Sequence, residues 1–136
     1  MTFSMYALLG DEAPSITNES LAGELKLYFR GEANFSLEFE ALPFASKDTL
    51  ALRWDDWLVR VAYEEGDNVL QDSVDISNLI GSSAPFDVSA IARRIRLIFS
   101  SDEGNEHTNQ ILYLVDFLRD KRGVVLFDPQ QRDLVT

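Results

Sequence analysis

The sequence has no cysteine and a single histidine, His107, among its 136 residues. The absence of cysteine excludes disulfide bonds, thiolate zinc sites and cysteine nucleophiles, and it suits a reducing compartment. A transition-metal site would have to combine His107 with several carboxylates, because there is no second imidazole. We therefore expect no metal and no other cofactor.

Several patterns that identify other protein classes are also missing. No uninterrupted apolar run reaches the roughly 18 residues of a membrane-spanning helix, and the first residues lack the basic start of a secretory signal. No glycine-rich pattern is present that would hold a nucleotide phosphate, and Gly81-Ser82-Ser83 is not the nucleophile elbow of a serine hydrolase. These absences predict a cytoplasmic protein without a recognisable catalytic motif.

Basic residues are scarce in this chain. Twelve Lys and Arg stand against 23 Asp and Glu, which gives a net charge of −11. Such a surface repels the phosphates of nucleic acids and of anionic membranes, so we expect neither as a partner. It speeds association with a cationic protein surface. Solubility is the alternative explanation, because acidity bears on association and not on fold.

The stretch 49–64 predicts a β-hairpin around which the core is built. Apolar and polar residues alternate on both sides of Asp55-Asp56, as they do in half-buried strands. A two-residue turn there places all the apolar residues on one face, whereas a one-residue slip would expose half of them. The predicted pairs are Trp54 with Trp57, Leu52 with Val59, and Leu50 with Val61.

Periodicity and capping residues divide the rest of the chain into further elements. Strands are predicted over 2–9, 35–41, 94–99 and 124–127, with Pro43 ending the second of them and 45–48 leading into the hairpin. Helices are predicted from an N-cap at Thr17 to Gly31, from an N-cap at Asp67 to Gly81, and over 108–120. A short helical turn capped by Asp87 is predicted over 88–92.

The resulting order, β-α-β-β-β-α-β-α-β, predicts a single α+β domain over residues 1–136. We expect a mostly antiparallel sheet of about five to six strands, with the hairpin at its centre and the helices packed on one face. The alternating strands are the reason, because sheets covered on both faces do not alternate.

Charged residues on the polar strand faces are predicted to pair with one another. Arg53 and Arg60 lie where Glu38 and Glu40 can reach them across the sheet. The only basic cluster is small, and we expect it to pair with neighbouring carboxylates and not with nucleic acid. It consists of Arg93, Arg94 and Arg96.

The charge, the single domain and the missing catalytic motifs predict a non-enzymatic, acidic protein-interaction domain with a basic protein partner. Its most specific form is a bacterial immunity-type protein that neutralises a basic toxin or nuclease. The residues predicted to supply the acidic surface are Asp55, Asp56, Glu64, Glu65, Asp67, Asp102, Glu103 and Glu106.

Two alternatives stay open at this point. The first is a small enzyme or ligand-binding protein whose pocket uses carboxylates and His107, since imidazole beside carboxylates can serve as a general base. The second is a structural subunit of a homo-oligomer. The sequence does not decide the oligomeric state.

Overall fold

A computed structural model describes residues 2–41 and 49–135 of the protein. These residues contain seven strands and three helices. The strands are β1 (Phe3–Leu9), β2 (Phe35–Glu40), β3 (Thr49–Trp54), β4 (Trp57–Glu65), β5 (Arg93–Phe99), β6 (Val124–Asp128) and β7 (Asp133–Leu134). The helices are α1 (Asn18–Tyr28), α2 (Asp67–Ile80) and α3 (Thr108–Arg119), and a 3₁₀ turn, Gly81–Ser83, follows α2. The predictions for Pro43 and for 45–48 lie outside the described residues.

The strands form one sheet in the order β2-β3-β4-β5-β1-β6-β7, and every neighbouring pair is antiparallel. The predicted α+β domain with a mostly antiparallel sheet is therefore confirmed. The strand count is higher than expected because β7 spans two residues, too few for an alternating pattern to show in the sequence.

The hairpin of β3 and β4 has the predicted register, and it occupies the second and third places of the seven-strand order, next to the central strand β5. Trp54 pairs with Trp57, and the pairs Leu52–Val59 and Leu50–Val61 follow. The turn has a positive φ, 58°, at Asp55, and Asp56 is not in that region. A positive φ at the first central position only is typical of a type II′ turn, one of the two turns that match the twist of hairpin strands.

One face of the sheet forms the main core, against α1 and α3. Its centre consists of hairpin and β5 side chains that are fully buried, and α1 and α3 add Leu21, Leu25, Leu114 and Leu118. The predicted N-cap of α1 is confirmed, because the Thr17 side chain accepts from the Ser20 N–H and the Ser20 side chain accepts from the Thr17 N–H.

The second helix differs from the others, because α2 packs on the opposite face of the sheet. Its residues Ile76 and Ile80 cluster with Leu8, Val125 and Phe127, which alternate with the main-core residues of β1 and β6. An amphipathic stripe shows that a helix buries one side but does not show which face of a sheet covers it. On this face, α2 covers the half of the sheet that contains β1 and β6. The half that contains β2 and β3 is polar on this face, so those strands keep the alternating pattern.

Three local boundaries also differ from expectation. Helix α1 ends at Tyr28, and Gly31 does not have the positive φ predicted for a cap. The N-cap of α2 is Gly66 and not Asp67. The segment after Asp87 is a turn and not a helical turn, because the Asp87 carboxylate accepts from both the N–H and the hydroxyl of Ser89. Such local bonds compete with helix formation.

None of the helices in the described ranges is long and apolar enough to cross a membrane.

Candidate functional site

The eight predicted acidic residues lie at two opposite ends of the sheet. The turn between β3 and β4 and the loop after β5 meet at one end, because β4 and β5 are antiparallel and Val59 pairs with Phe99. Five of the eight belong to this end, which we call the hairpin end: Asp55, Asp56, Asp102, Glu103 and Glu106. The other three lie at the far end of β4, where Glu64 and Glu65 are its last two residues and Asp67 is the first residue of α2.

Pairing of the strands brings the two acidic segments of the hairpin end to the same end of the sheet. The β4–β5 ladder ends at Val59 and Phe99, three residues from Asp56 and three from Asp102. The Ser100 N–H donates to the Leu58 carbonyl at 2.9 Å, so the pairing extends past the end of β5. Two separate stretches of sequence therefore form one acidic surface.

His107 has a packing role at this end. Its imidazole stacks on the indole of Trp57 with 4.5 Å between ring centroids and 6° between planes. The Trp57 indole N–H donates to the Ser100 carbonyl at 3.1 Å, and the Asp102 carboxylate accepts from the His107 N–H at 3.0 Å. These contacts fix the start of α3 against the sheet. The Asp102 carboxylate thus stabilises the loop between β5 and α3.

The remaining carboxylates of the hairpin end face solvent. Asp55, Asp56, Glu103 and Glu106 are all exposed, and within the described ranges none of them forms an ion pair. Four negative charges without a cation of their own produce a local negative potential, which attracts a cationic surface.

Sequence reasoning missed an exposed apolar and aromatic patch formed by α1 and α3. Its tyrosines are Tyr28, which is 44% exposed, and Tyr113, which is 42% exposed. The ring of Tyr28 packs edge to face on that of Phe117, with 5.2 Å between the ring centroids. Exposed neighbours on the same two helices are Leu27 and Leu112. Tyrosines of this kind are enriched where proteins bind one another.

Carboxylates also border this patch. Burial raises the pKa of Tyr28, and the charges of Asp116 and Asp120 raise it further. This effect shows that both carboxylates lie near the phenol. A helix pattern gives the spacing of these groups within α3, but only the packing of α1 on α3 brings Tyr28 to them.

At the opposite end, Glu64 is neutralised inside the protein. Its carboxylate bonds Arg94 at 2.9 Å and Arg96 at 3.2 Å. Arg94 is buried, bonds Asp72 on α2 at 2.7 Å and lies 4.4 Å from the ring centroid of Tyr6. The prediction that Arg94 and Arg96 pair with carboxylates is confirmed, and Glu64 has no free charge for a partner.

A cavity of about 720 Å³ lies at the same end as Glu64. Its lining includes the carboxylates of Asp11, Glu12 and Asp87, the ring of Phe86, and Arg93. The guanidinium of Arg93 donates to three backbone carbonyls, those of Gly10, Ala13 and Pro14. The third arginine of the basic cluster therefore braces the loop after β1, whereas Arg94 and Arg96 bond Glu64.

The cavity and His107 lie at opposite ends of β5. The cavity therefore holds carboxylates but not the histidine with which the enzyme prediction combined them. Across 2–41 and 49–135, no group of three or more His, Cys, Asp or Glu side chains is placed to hold a metal ion. An enzyme that uses His107 stays a prediction.

Comparisons with known proteins give no further direction, since no family model matches the chain and no curated protein or solved structure matches it significantly.

Proposed function

We propose that this protein is a non-catalytic, acidic interaction domain that binds and neutralises a basic protein through its hairpin end. The observation that carries the proposal is that Asp55, Asp56, Glu103 and Glu106 are exposed at one end of the sheet and form no ion pair with the residues that the structure describes. The net charge of −11 adds long-range attraction for a basic partner. A bacterial immunity-type protein that blocks a basic toxin or nuclease is its most specific form.

The tyrosine patch supports the same proposal. Charged groups mainly speed association and select partners, whereas aromatic side chains in a desolvated centre supply most of the binding energy. Tyr28 and Tyr113 provide such anchors, and Asp116 and Asp120 add charge at their edge. The partner is therefore expected to bring a basic surface with an apolar centre.

The experiment that tests the proposal compares two variants with the same net charge. The first neutralises the hairpin end with Asp55→Asn, Asp56→Asn, Glu103→Gln and Glu106→Gln. The control neutralises four exposed carboxylates at the opposite end with Asp11→Asn, Glu12→Gln, Glu65→Gln and Asp67→Asn. Each tagged protein is incubated with lysate of the source cells, and basic proteins released by salt are identified and purified.

The association rate of a captured basic protein is then measured with both variants at low and high salt. The hairpin-end variant should bind about tenfold more slowly at low salt, and this difference should shrink at high salt, because screening removes the attraction. The control should stay close to the unmodified protein. Equal slowing of both variants would show attraction by net charge alone, and the hairpin end would not be the binding surface.

A further inference from the structure

The two outer strands of the sheet are protected to different degrees. At one edge, β7 has only two residues, and a short edge strand offers little backbone for pairing. At the other edge, β2 has six residues, with no proline, no lysine and no arginine. A long and regular edge strand is a template on which another strand can pair. The charged residues of β2, Glu38 and Glu40, are both acidic, so they oppose an acidic strand and favour a cationic one.

The direction of the free backbone groups on β2 follows from the hairpin register. Trp54 and Trp57 close a two-residue turn, so they form a hydrogen-bonded pair and the Trp54 backbone points toward β4. Trp54 is also opposite Phe35, and that pair is therefore not hydrogen-bonded. The N–H and C=O groups of Phe35, Leu37 and Phe39 consequently point away from the sheet. No strand of the described segments pairs with them.

The side chains of β2 define what a pairing strand must carry. Phe35, Leu37 and Phe39 lie on the face that packs toward the main core, and Phe39 is still 46% exposed. The opposite face carries Ser36, Glu38 and Glu40. Glu40 already pairs with Arg53 at 3.7 Å and with Arg60 at 2.7 Å. Glu38 is exposed and pairs with no cation that the structure describes.

We propose that β2 is a docking edge on which an amphipathic, cationic strand of the basic partner extends the sheet. Apolar residues of that strand cover Phe39 and Leu37, and a Lys or Arg on its other face pairs with Glu38. The inference rests on the proposed function for the basic character of the partner. It goes further by naming the edge that binds and the alternating pattern that fits it.

A second copy of the chain does not meet these requirements. Residues that face each other in an antiparallel pair share a face, so two β2 strands can centre on Glu38 or on Leu37. The first arrangement places Glu38 opposite Glu38, and the second places it opposite Ser36. Neither supplies a cation, and each copy adds a net charge of −11.

The probe for this docking edge is a synthetic peptide, acetyl-Lys-Val-Lys-Val-Lys-Val-amide. The control peptide has the same charge and replaces the central valine with proline, acetyl-Lys-Val-Lys-Pro-Lys-Val-amide, which disrupts strand pairing. Binding is measured by calorimetry, and amide exchange by NMR. The N–H groups of Phe35, Leu37 and Phe39 should exchange at least about tenfold more slowly with the first peptide. Those of Ser36 and Glu38 already bond β3 and provide an internal reference.

Two protein variants separate backbone pairing from side-chain contact. Phe39→Ala removes the exposed ring and keeps the outward N–H, whereas Phe39→Pro also removes the N–H, on the side where an edge strand tolerates proline. We expect Phe39→Pro to bind the first peptide about tenfold more weakly than Phe39→Ala, the effect of one lost backbone hydrogen bond. Circular dichroism shows whether both variants keep the fold.

The outcomes distinguish this inference from the proposed function. If both peptides bind equally, with shifts at Asp55 and Glu103 and none at β2, the docking edge is overturned and an acidic binding surface remains. If neither peptide binds, the docking edge is overturned, and the proposed function is judged by its own charge variants. If β2 becomes protected as protein concentration rises without peptide, the edge binds a second copy and the inference is wrong.

Discussion

A single residue of the hairpin turn holds an unusual backbone conformation. Asp55 has a φ of 58°, a region that side chains with a Cβ adopt at a cost and that glycine adopts freely. Its neighbour Asp56 lies outside that region. The two aspartates are alike in charge and exposure, so they form a matched pair for separating backbone strain from electrostatics.

Asp55→Gly should raise the free energy of unfolding by about 0.5–1 kcal/mol, because the positive φ no longer conflicts with a Cβ. Asp56→Gly should lower it by a similar amount, since glycine there only increases the freedom of the unfolded chain. Urea denaturation of both variants gives the two values. Equal changes in the same direction would assign the effect to loss of negative charge.

Tyr28 links packing to pH dependence. Burial raises its pKa above the ordinary value of 10.0, and the charges of Asp116 and Asp120 act in the same direction. The folded state thus favours the protonated phenol more than the unfolded state does. This contribution to stability is complete below the unfolded pKa and is lost as the pH rises through the folded pKa.

Tyr28→Phe should therefore reduce the loss of stability in alkali. Between about pH 9 and about pH 11, the free energy of unfolding should fall less in this variant than in the unmodified protein, because one shifted phenol no longer titrates. Tyr63, whose pKa is also raised by burial, is present in both proteins. Equal slopes with pH would show that Tyr28 has the same pKa in both states.

At the scale of elements, local patterns predicted the hairpin register and nearly all strands and helices. The match of Trp54 to Trp57 followed from alternation and turn length alone, which are properties of neighbouring residues. The face chosen by α2 and the pairing of β4 with β5 could not be predicted, because they join segments far apart in sequence. That pairing places Glu64 beside Arg94 and brings the hairpin turn and the loop after β5 to one end of the sheet, so the candidate site was predicted in composition but not in layout.

One buried cation adds a polar contact between α2 and the sheet to the apolar packing of Ile76 and Ile80. Burial lowers the pKa of Arg94, but the hydrogen bonds that its guanidinium donates to Asp72 and Glu64 more than offset this, so the pKa lies above its ordinary value. The guanidinium joins α2, β4 and β5 at a place where few other polar groups are buried. It therefore holds α2 in register on the face that sequence alone did not assign.

Asp72→Asn should lower the free energy of unfolding by about 1–2 kcal/mol. The buried guanidinium loses a charged acceptor, but Asp72 is 45% exposed, and solvent screening keeps the cost below that of a fully buried pair. Asp75→Asn is the matched control, because Asp75 is exposed and lies three residues after Asp72 on α2. This substitution should change the free energy of unfolding by less than about 0.5 kcal/mol. Urea denaturation distinguishes them, and similar values would mean that Arg94 does not need Asp72.

For the whole molecule, acidity has a consequence for stability as well as for binding. A net charge of −11 on one domain repels itself, and the compact state concentrates that charge more than the unfolded chain does. The ion pairs around Glu40 and Arg94 act in the opposite direction, but most of their members are partly exposed, and such pairs contribute about 0–1 kcal/mol each. Repulsion should therefore be the larger salt-dependent effect.

Raising NaCl from about 0.01 M to about 0.1 M shortens the Debye length from about 30 Å to about 10 Å, and it should raise the free energy of unfolding by about 1 kcal/mol. The hairpin-end variant and the opposite-end control, each with four fewer negative charges, should both show a shallower rise. If the rise of the free energy of unfolding with salt is reduced equally in both variants, the repulsion comes from the charge of the whole molecule. If it is reduced more in the hairpin-end variant, the repulsion comes mainly from that surface. A fall in stability with salt would contradict the argument, because it would mean that screening of the internal ion pairs outweighs relief of the repulsion.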